Sequence, residues 1–230
     1  MIRLNRVIKF KIAADGTSAS GKSTAGKIIA KRFKMKFLSS GALYRYCALK
    51  IIENGNKYNS ISIKQIVRSI TLKKLQNKKI YSPEVALMSS IIAKRPFVRK
   101  ALTKFQKNFI KKSNLVIVEG RDIGSKIMRK DADLKLFFIC SAQEKAKRRL
   151  KELKSTNKKL TLKQVKKALI HRDKEDKNRK ISPLIMAKNS VLVDTTKLSI
   201  YQMETKLVNL VTKFIKKKYG NIQEFRYSTE

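Results

Sequence analysis

The stretch Gly16-Thr17-Ser18-Ala19-Ser20-Gly21-Lys22-Ser23 carries the spacing G-x-x-x-x-G-K-[ST], the arrangement that cradles phosphates. Small residues let successive backbone N–H groups turn inward on an anion. A lysine at the seventh position reaches the outer phosphates, and a hydroxyl at the eighth is placed to ligate Mg²⁺. Gly16, Thr17, Ser18, Ala19, Ser20, Gly21, Lys22, Ser23 and the following Thr24 are therefore the expected contacts of a nucleoside triphosphate, with Lys22 serving its charge.

Such a loop works only between a strand and a helix, and both are legible. Val7 to Ala14 reads as a strand ending at the loop, and Ser23 to Phe33 carries Ala, Ile and Lys at helical spacing, with Gly26 its one weak position. Lys36-Phe37-Leu38 gives a second strand, followed by a turn and cap at Ser39-Ser40-Gly41 and a helix through Leu49 that ends at Asn54-Gly55-Asn56. From Lys57 to Tyr81 the Ile spacing is irregular, and helix with short extended pieces is expected. Ser82-Pro83-Glu84 caps a helix to Ala93, and Pro96 opens another to about Lys112. Leu115 to Val118, Leu134 to Ile139 and Val191 to Asp194 read as buried strands. Helices over Glu144–Leu153, Leu162–Arg179 and Ser199–Lys217 complete the alternation. Strands alternating with helices predict an α/β protein, a five-stranded parallel sheet covered on both faces.

In such a sheet ligands gather beyond the carboxyl ends of the strands, and arginines accumulate there. Arg45 lies a helical turn beyond the second strand, Arg121-Asp122 follows the third, and Arg172 and Arg179 fall in the charged excursion before the last. A guanidinium fork matches a phosphate at two points and stays charged, so arginines from several segments suggest a second phosphate-bearing substrate.

The 230 residues suit one core domain with excursions, and 8 Gly with 3 Pro leave little for a flexible linker. At 42% hydrophobic residues a core can be buried, and no run approaches the roughly 20 apolar residues of a membrane span. The two cysteines, Cys47 and Cys140, lie in apolar segments without metal-ligand spacing, which suits a reducing cytoplasm. A net charge of +40 would attract polyanions, but the Lys residues are spread over nearly every segment and the aromatic fraction of 7% supplies no row of stacking platforms. A general lean toward Lys, Asn and Ile explains the charge, and no specific nucleic-acid partner is expected.

Read together, several blocks resemble the bacterial-type cytidylate kinases of the P-loop nucleoside monophosphate kinase class. They are Asp15-Gly16 with the loop, Ser40-Gly41-Ala42-Leu43-Tyr44-Arg45, Ser90 with Pro96-Phe97-Val98-Arg99, Glu119-Gly120-Arg121-Asp122-Ile123-Gly124, Arg172-Asp173-Lys174-Glu175-Asp176-Lys177-Asn178-Arg179, and Asp194-Thr195-Thr196. The loop alone indicates only nucleotide binding. The G-R-D-I-G and R-D-x-x-D-x-N-R blocks in this order are specific to the family.

The resemblance implies a three-layer P-loop kinase fold over 1–230, with a monophosphate-binding insertion at 55–95 and a helical lid at 147–182. It implies transfer of the γ-phosphoryl group of ATP to CMP or dCMP. ATP is taken with Mg²⁺, and Ser23 and Asp15 are the expected metal side. Lys22, Arg121 and Arg179 are the implied catalytic residues. Ser40, Arg45, Arg121 and Arg179 belong to the acceptor phosphate side, Ser90, Arg99 and Asp122 to the cytosine ring, and Arg172 and Asp176 to the ribose. A soluble monomer is expected. His171, the only histidine, is expected on the surface.

The chain departs from the family at Ser39, where Asp is usual, and at Thr17, where Pro is usual. Its insertion between Ile52 and Ser82 is shorter, with Ile80-Tyr81-Ser82 in place of an Ile-Arg pair, which predicts a smaller, more open flap. Two other functions share parts of this pattern: a kinase of UMP, dTMP, AMP or shikimate on the same fold, and a nucleic-acid-binding protein using the loop for regulation.

Overall fold

The computed structural model describes residues 8–154 and 160–220. Val7 of the expected first strand, and residues 155–159 of the expected lid, lie outside them.

The strand Phe10–Gly16 (β1) runs into the phosphate loop, and the helix Lys22–Arg32 (α1) leaves it. Lys36–Ser39 (β2), Leu115–Gly120 (β3), Leu134–Ile139 (β4) and Ser190–Asp194 (β5) complete a sheet of order β2-β3-β1-β4-β5. β1 pairs in parallel with β3 and β4, and β4 with β5. The order puts β1 in the centre, so the loop at its carboxyl end sits where strand connections diverge, the usual ligand crevice of an open parallel sheet.

The chain divides into two compact units. One takes the sequence up to Phe37 and again from Asn114; the other is Leu38–Ser113, which contains the 55–95 range expected for the insertion. In the first unit Ile12, Ala14, Leu136 and Phe138 pack with Ile29 of α1 and with Leu207 and Val211 of the last helix, Ile200–Tyr219 (α8). The alternate positions Ala13, Val116 and Val118 are buried too, so β1 and β3 are covered on both faces. Each fully buried large side chain here contributes about 1.5–3 kcal/mol.

Gly26, the weak position of α1, has a packing reason. A Cβ there would lie 2.6 Å from the Phe37 ring, so glycine lets α1 approach the strand that follows it.

The second unit is helical: Ser40–Glu53 (α2), Ser60–Arg68 (α3), Pro83–Ile92 (α4) and Pro96–Lys111 (α5), with 3₁₀ turns at Lys74–Gln76 and Lys78–Tyr81. The extended pieces expected between Lys57 and Tyr81 are replaced by helix and these turns. The Asn59 and Ser62 side chains form a reciprocal capping box that starts α3, and Ile63 and Val67 supply its buried face. Isoleucine spacing favours neither state over so short a window; the cap decides.

Candidate functional site

The phosphate loop is shaped by three special conformations. Gly16 has no room for a Cβ, which would stand 2.3 Å from the Phe138 carbonyl oxygen. Ala19 and Gly21 take left-handed φ angles of 54° and 81°, and a left-handed residue beside right-handed ones turns adjacent N–H groups into a concavity for an anion. Gly21 caps α1 without a side chain, which leaves the N–H groups of the first helical turn to the loop.

Lys22 is buried against this loop. Its Nζ donates to the Thr17 carbonyl at 3.3 Å and lies 3.8 Å from Glu119 Oε2. Burial, together with the positive charges of Arg121 and Arg172, pushes its pKa down to about 8, with Glu119 opposing. A lysine so placed gains most when phosphates arrive.

Arg121 leaves the end of β3 and joins the loop to the charged helix Leu162–Asn178 (α7). Its guanidinium donates to Ser18 Oγ at 2.9 Å and to Asp176 Oδ2 at 2.7 Å. Arg179 reaches the other Asp176 oxygen at 3.4 Å and donates to the Ser182 carbonyl. Burial opposes the Arg121 charge, but the Asp176 carboxylate outweighs it and raises its pKa. Burial lowers that of Arg172, helped by the charge of Arg121. Burial also works against the Asp176 charge, yet Arg121, Arg179 and Arg172 hold its pKa below the ordinary range. The structure thus brings Lys22, Ser18, Arg121, Arg172, Asp176 and Arg179 into one electrostatic cluster, drawn from three separate sequence blocks.

Asp15 is buried at the end of β1 and accepts the backbone N–H groups of Ile123 and Gly124, while burial pushes its pKa up to about 6. Ser23 and Thr24 are exposed at the start of α1, and Asp122 is buried just beyond β3. The hydroxyl oxygen of Ser23 fits a hard cation that keeps few protein ligands and is carried chiefly by phosphates.

In the second unit Ser39 Oγ accepts the Ala42 N–H at 3.2 Å and caps α2, so serine performs at this position the capping task open to aspartate. Ser40 is buried in the first turn of α2. Arg45 donates to the Ile80 carbonyl at 3.2 Å and lies over the Tyr81 ring. Arg99 is buried, donates to the Ala93 carbonyl at 3.3 Å and lies over Tyr44, while Ser90 donates to the Ala86 carbonyl within α4. His171 is on the surface, as expected, its side chain 74% exposed.

Four residues join the site with no role assigned to them from sequence, although Asp173 and Thr195 stand inside the family-like blocks. Asp173 accepts the Ser18 N–H at 2.8 Å and pairs with Lys145 of the helix Ala142–Lys154 (α6), so α6 and α7 are tied to the loop by one carboxylate. Thr195, beyond β5, donates to the Ser20 carbonyl at 3.0 Å and takes a hydrogen bond from Arg148. Nothing in the spacing of Lys145, Arg148, Asp173 or Thr195 announces these contacts.

A central parallel strand, a Gly-rich loop, a buried lysine and an arginine cluster define a P-loop kinase. Residues 12–213 match the family model described as cytidylate kinase. The chain is 36% identical over 211 residues to the cytidylate kinase of Fervidobacterium nodosum, covering 87% of this chain and 95% of that one. It is 37% identical over 209 residues to that of Rickettsia rickettsii, covering 91% and 93%. The chain belongs to the cytidylate kinase family. An uncharacterized protein of Eubacterium ventriosum, with 13% identity, shares the fold at a TM-score of 0.54, covering 89% of this chain and 99% of that one.

Proposed function

We propose that this protein transfers the γ-phosphoryl group of ATP to CMP or dCMP, giving ADP and CDP or dCDP. The observation that carries the reading is the contact of Arg121 with Ser18 of the phosphate loop, which sets a guanidinium beside the donor end of the site. Transferring a phosphoryl group between two anions needs positive charge at the point where they meet.

The loop amides hold the triphosphate, Lys22 its outer phosphates, and Arg121 and Arg179 the group in transit. No general base is required, because a nucleotide 5′-phosphate has a second pKa of about 6 and its oxygen is already nucleophilic near neutral pH. Mg²⁺ accompanies ATP, with Ser23 as the protein oxygen offered to it, and supplies charge neutralisation at the phosphates.

Arg45 and Ser40 serve the acceptor phosphate. Ser90, Arg99 and Asp122 read the cytosine: a carboxylate and a hydroxyl accept from its amino group, and an arginine serves its acceptors. Uracil would set a carbonyl against the carboxylate, and an unpaired buried polar group rejects more strongly than shape. Arg172 and Asp176 serve the ribose, and the pairs with Arg121 and Arg179 give Asp176 the added task of gathering like charges. The segment 147–182 acts as a lid that excludes water from the γ-phosphate. The protein works as a cytoplasmic monomer with no specific nucleic-acid partner. A reducing compartment suits Cys47, whose thiol burial pushes up to about 12.

The test is ADP release from Mg-ATP across ribo- and deoxynucleoside monophosphates. CMP and dCMP should be the best acceptors. A preference for AMP or dTMP would overturn the reading.

A further inference from the structure

The side chain of Asp15 points at backbone, and the backbone it grips belongs to the segment that carries Arg121 and Asp122. Asp15 is 3% exposed and lies in register with Gly120, the last residue of β3. Its Oδ1 accepts the Ile123 N–H at 2.8 Å, and its Oδ2 accepts the Gly124 N–H at 2.6 Å. These amides open the π-helical turn Ile123–Ile127, whose Lys126 and Ile127 N–H groups return to the Asp122 carbonyl at 3.0 and 3.1 Å.

Arg121 and Asp122 are therefore two residues strung between two fixed points. On one side the sheet pairs Gly120 with β1; on the other the Asp15 carboxylate holds Ile123 and Gly124. So short a span cannot move its backbone, and with it the direction in which the Arg121 and Asp122 side chains leave it, without breaking one anchor. Charge-assisted bonds from two amides compensate much of the cost of burying a carboxylate, and each of its oxygens turns to the backbone for one of them. We propose that Asp15 is a positioning residue, fixing Arg121 and Asp122 for the acceptor nucleotide through Ile123 and Gly124, and that it is not a ligand of Mg²⁺. The proposal rests on the acceptor roles given above to Arg121 and Asp122.

Asp15→Asn tests it, because an amide of the same shape keeps one acceptor and sets an NH₂ group against the second amide. Calorimetry with CMP, KM and kcat for CMP and for ATP, the Mg²⁺ activation midpoint and the melting temperature are measured beside the unsubstituted protein. The expected result is CMP binding weakened and its KM raised about tenfold, kcat reduced, ATP KM within about twofold and the Mg²⁺ midpoint unchanged. A shifted Mg²⁺ midpoint with an unchanged CMP KM would make Asp15 a metal-side residue and overturn the proposal. Unchanged kinetics, or equal losses for CMP and ATP, would also overturn it.

Gly124→Ala provides an independent arm if Asp15→Asn does not fold. Its Cβ would lie 3.3 Å from Asp15 Oδ2 and crowd the same contact without altering the carboxylate. A smaller rise confined to the CMP KM supports the proposal, and an unaltered CMP KM counts against it. If the unsubstituted protein itself fails to phosphorylate CMP, it is the functional reading that has failed.

Discussion

Arg121 and Asp176, 55 residues apart, meet in a 2.7 Å charge-assisted hydrogen bond whose other end is anchored on Ser18. Both side chains are 17% exposed, so this is no solvated surface pair of small consequence.

Substitution of Asp176 should therefore act on phosphate chemistry as well as on the sugar. For Asp176→Ala we expect kcat/KM to fall roughly tenfold to a hundredfold on CMP, the loss of ~1.5–3 kcal/mol from a hydrogen bond to a charged group. The loss on dCMP should be substantial but smaller, and the difference reports the 2′-hydroxyl contact. Arg179→Ala should damage both substrates equally. Steady-state kinetics of both variants on both acceptors decides the matter, and equal losses for Asp176→Ala would remove the 2′-hydroxyl role.

Lys22→Ala should abolish turnover while the protein stays folded, since the lysine serves phosphate charge and not the core. Circular dichroism with an ADP-release assay checks it, and near-normal activity would take the loop out of the mechanism.

The depressed Lys22 pKa makes nucleotide binding proton-linked. The group is near 8 in the folded protein against an ordinary 10.5. Its contribution to stability is thus present above pH 10.5 and lost as pH falls through 8. Phosphates favour the charged lysine, so ATP binding near pH 8 should take up about half a proton. Titration calorimetry in buffers of different ionisation heat measures this, and Lys22→Ala should lose the uptake.

Lys145 and Asp173 form a buried pair on which α6, α7 and the loop all depend. Asp173→Ala leaves a buried lysine unpaired and should cost about 3–5 kcal/mol in denaturant unfolding. Lys145→Met with Asp173→Leu should recover most of that stability, yet not activity, because the Ser18 N–H anchor stays lost.

At Gly26 two effects compete. Alanine gains about 1 kcal/mol of helix propensity, but its Cβ would lie 2.6 Å from the Phe37 ring. Overpacking of about 1–3 kcal/mol should win, so Gly26→Ala destabilises by thermal melting. The same change beside Phe37→Leu should be neutral or stabilising.

The sequence by itself determined the alternation of strands and helices, because hydrophobic period, Pro at helix starts and Gly in the loop are local signals read over a few residues. It placed β4 at the residues the structure shows, and put α5 and α7 within a residue at each end. It named the loop, Lys22 and the arginines, because their types and short spacings carry the chemistry. Extension of β1 to Gly16 and of β3 to Gly120 was not legible: Asp15, Glu119 and Gly120 are poor strand formers, held there by their pairing across the ladder.

Tertiary structure alone decided how the charged residues are spent. Ser18 can accept from Arg121 and donate its N–H to Asp173 only because β1, β3 and α7 converge at one loop. Asp15, which looks from its position like a residue for metal, turns to the backbone of Ile123 and Gly124. Partners 55 to 175 residues apart leave no periodic trace in a chain, since hydrogen bonds and charges act over a few ångströms and only folding brings them within that reach.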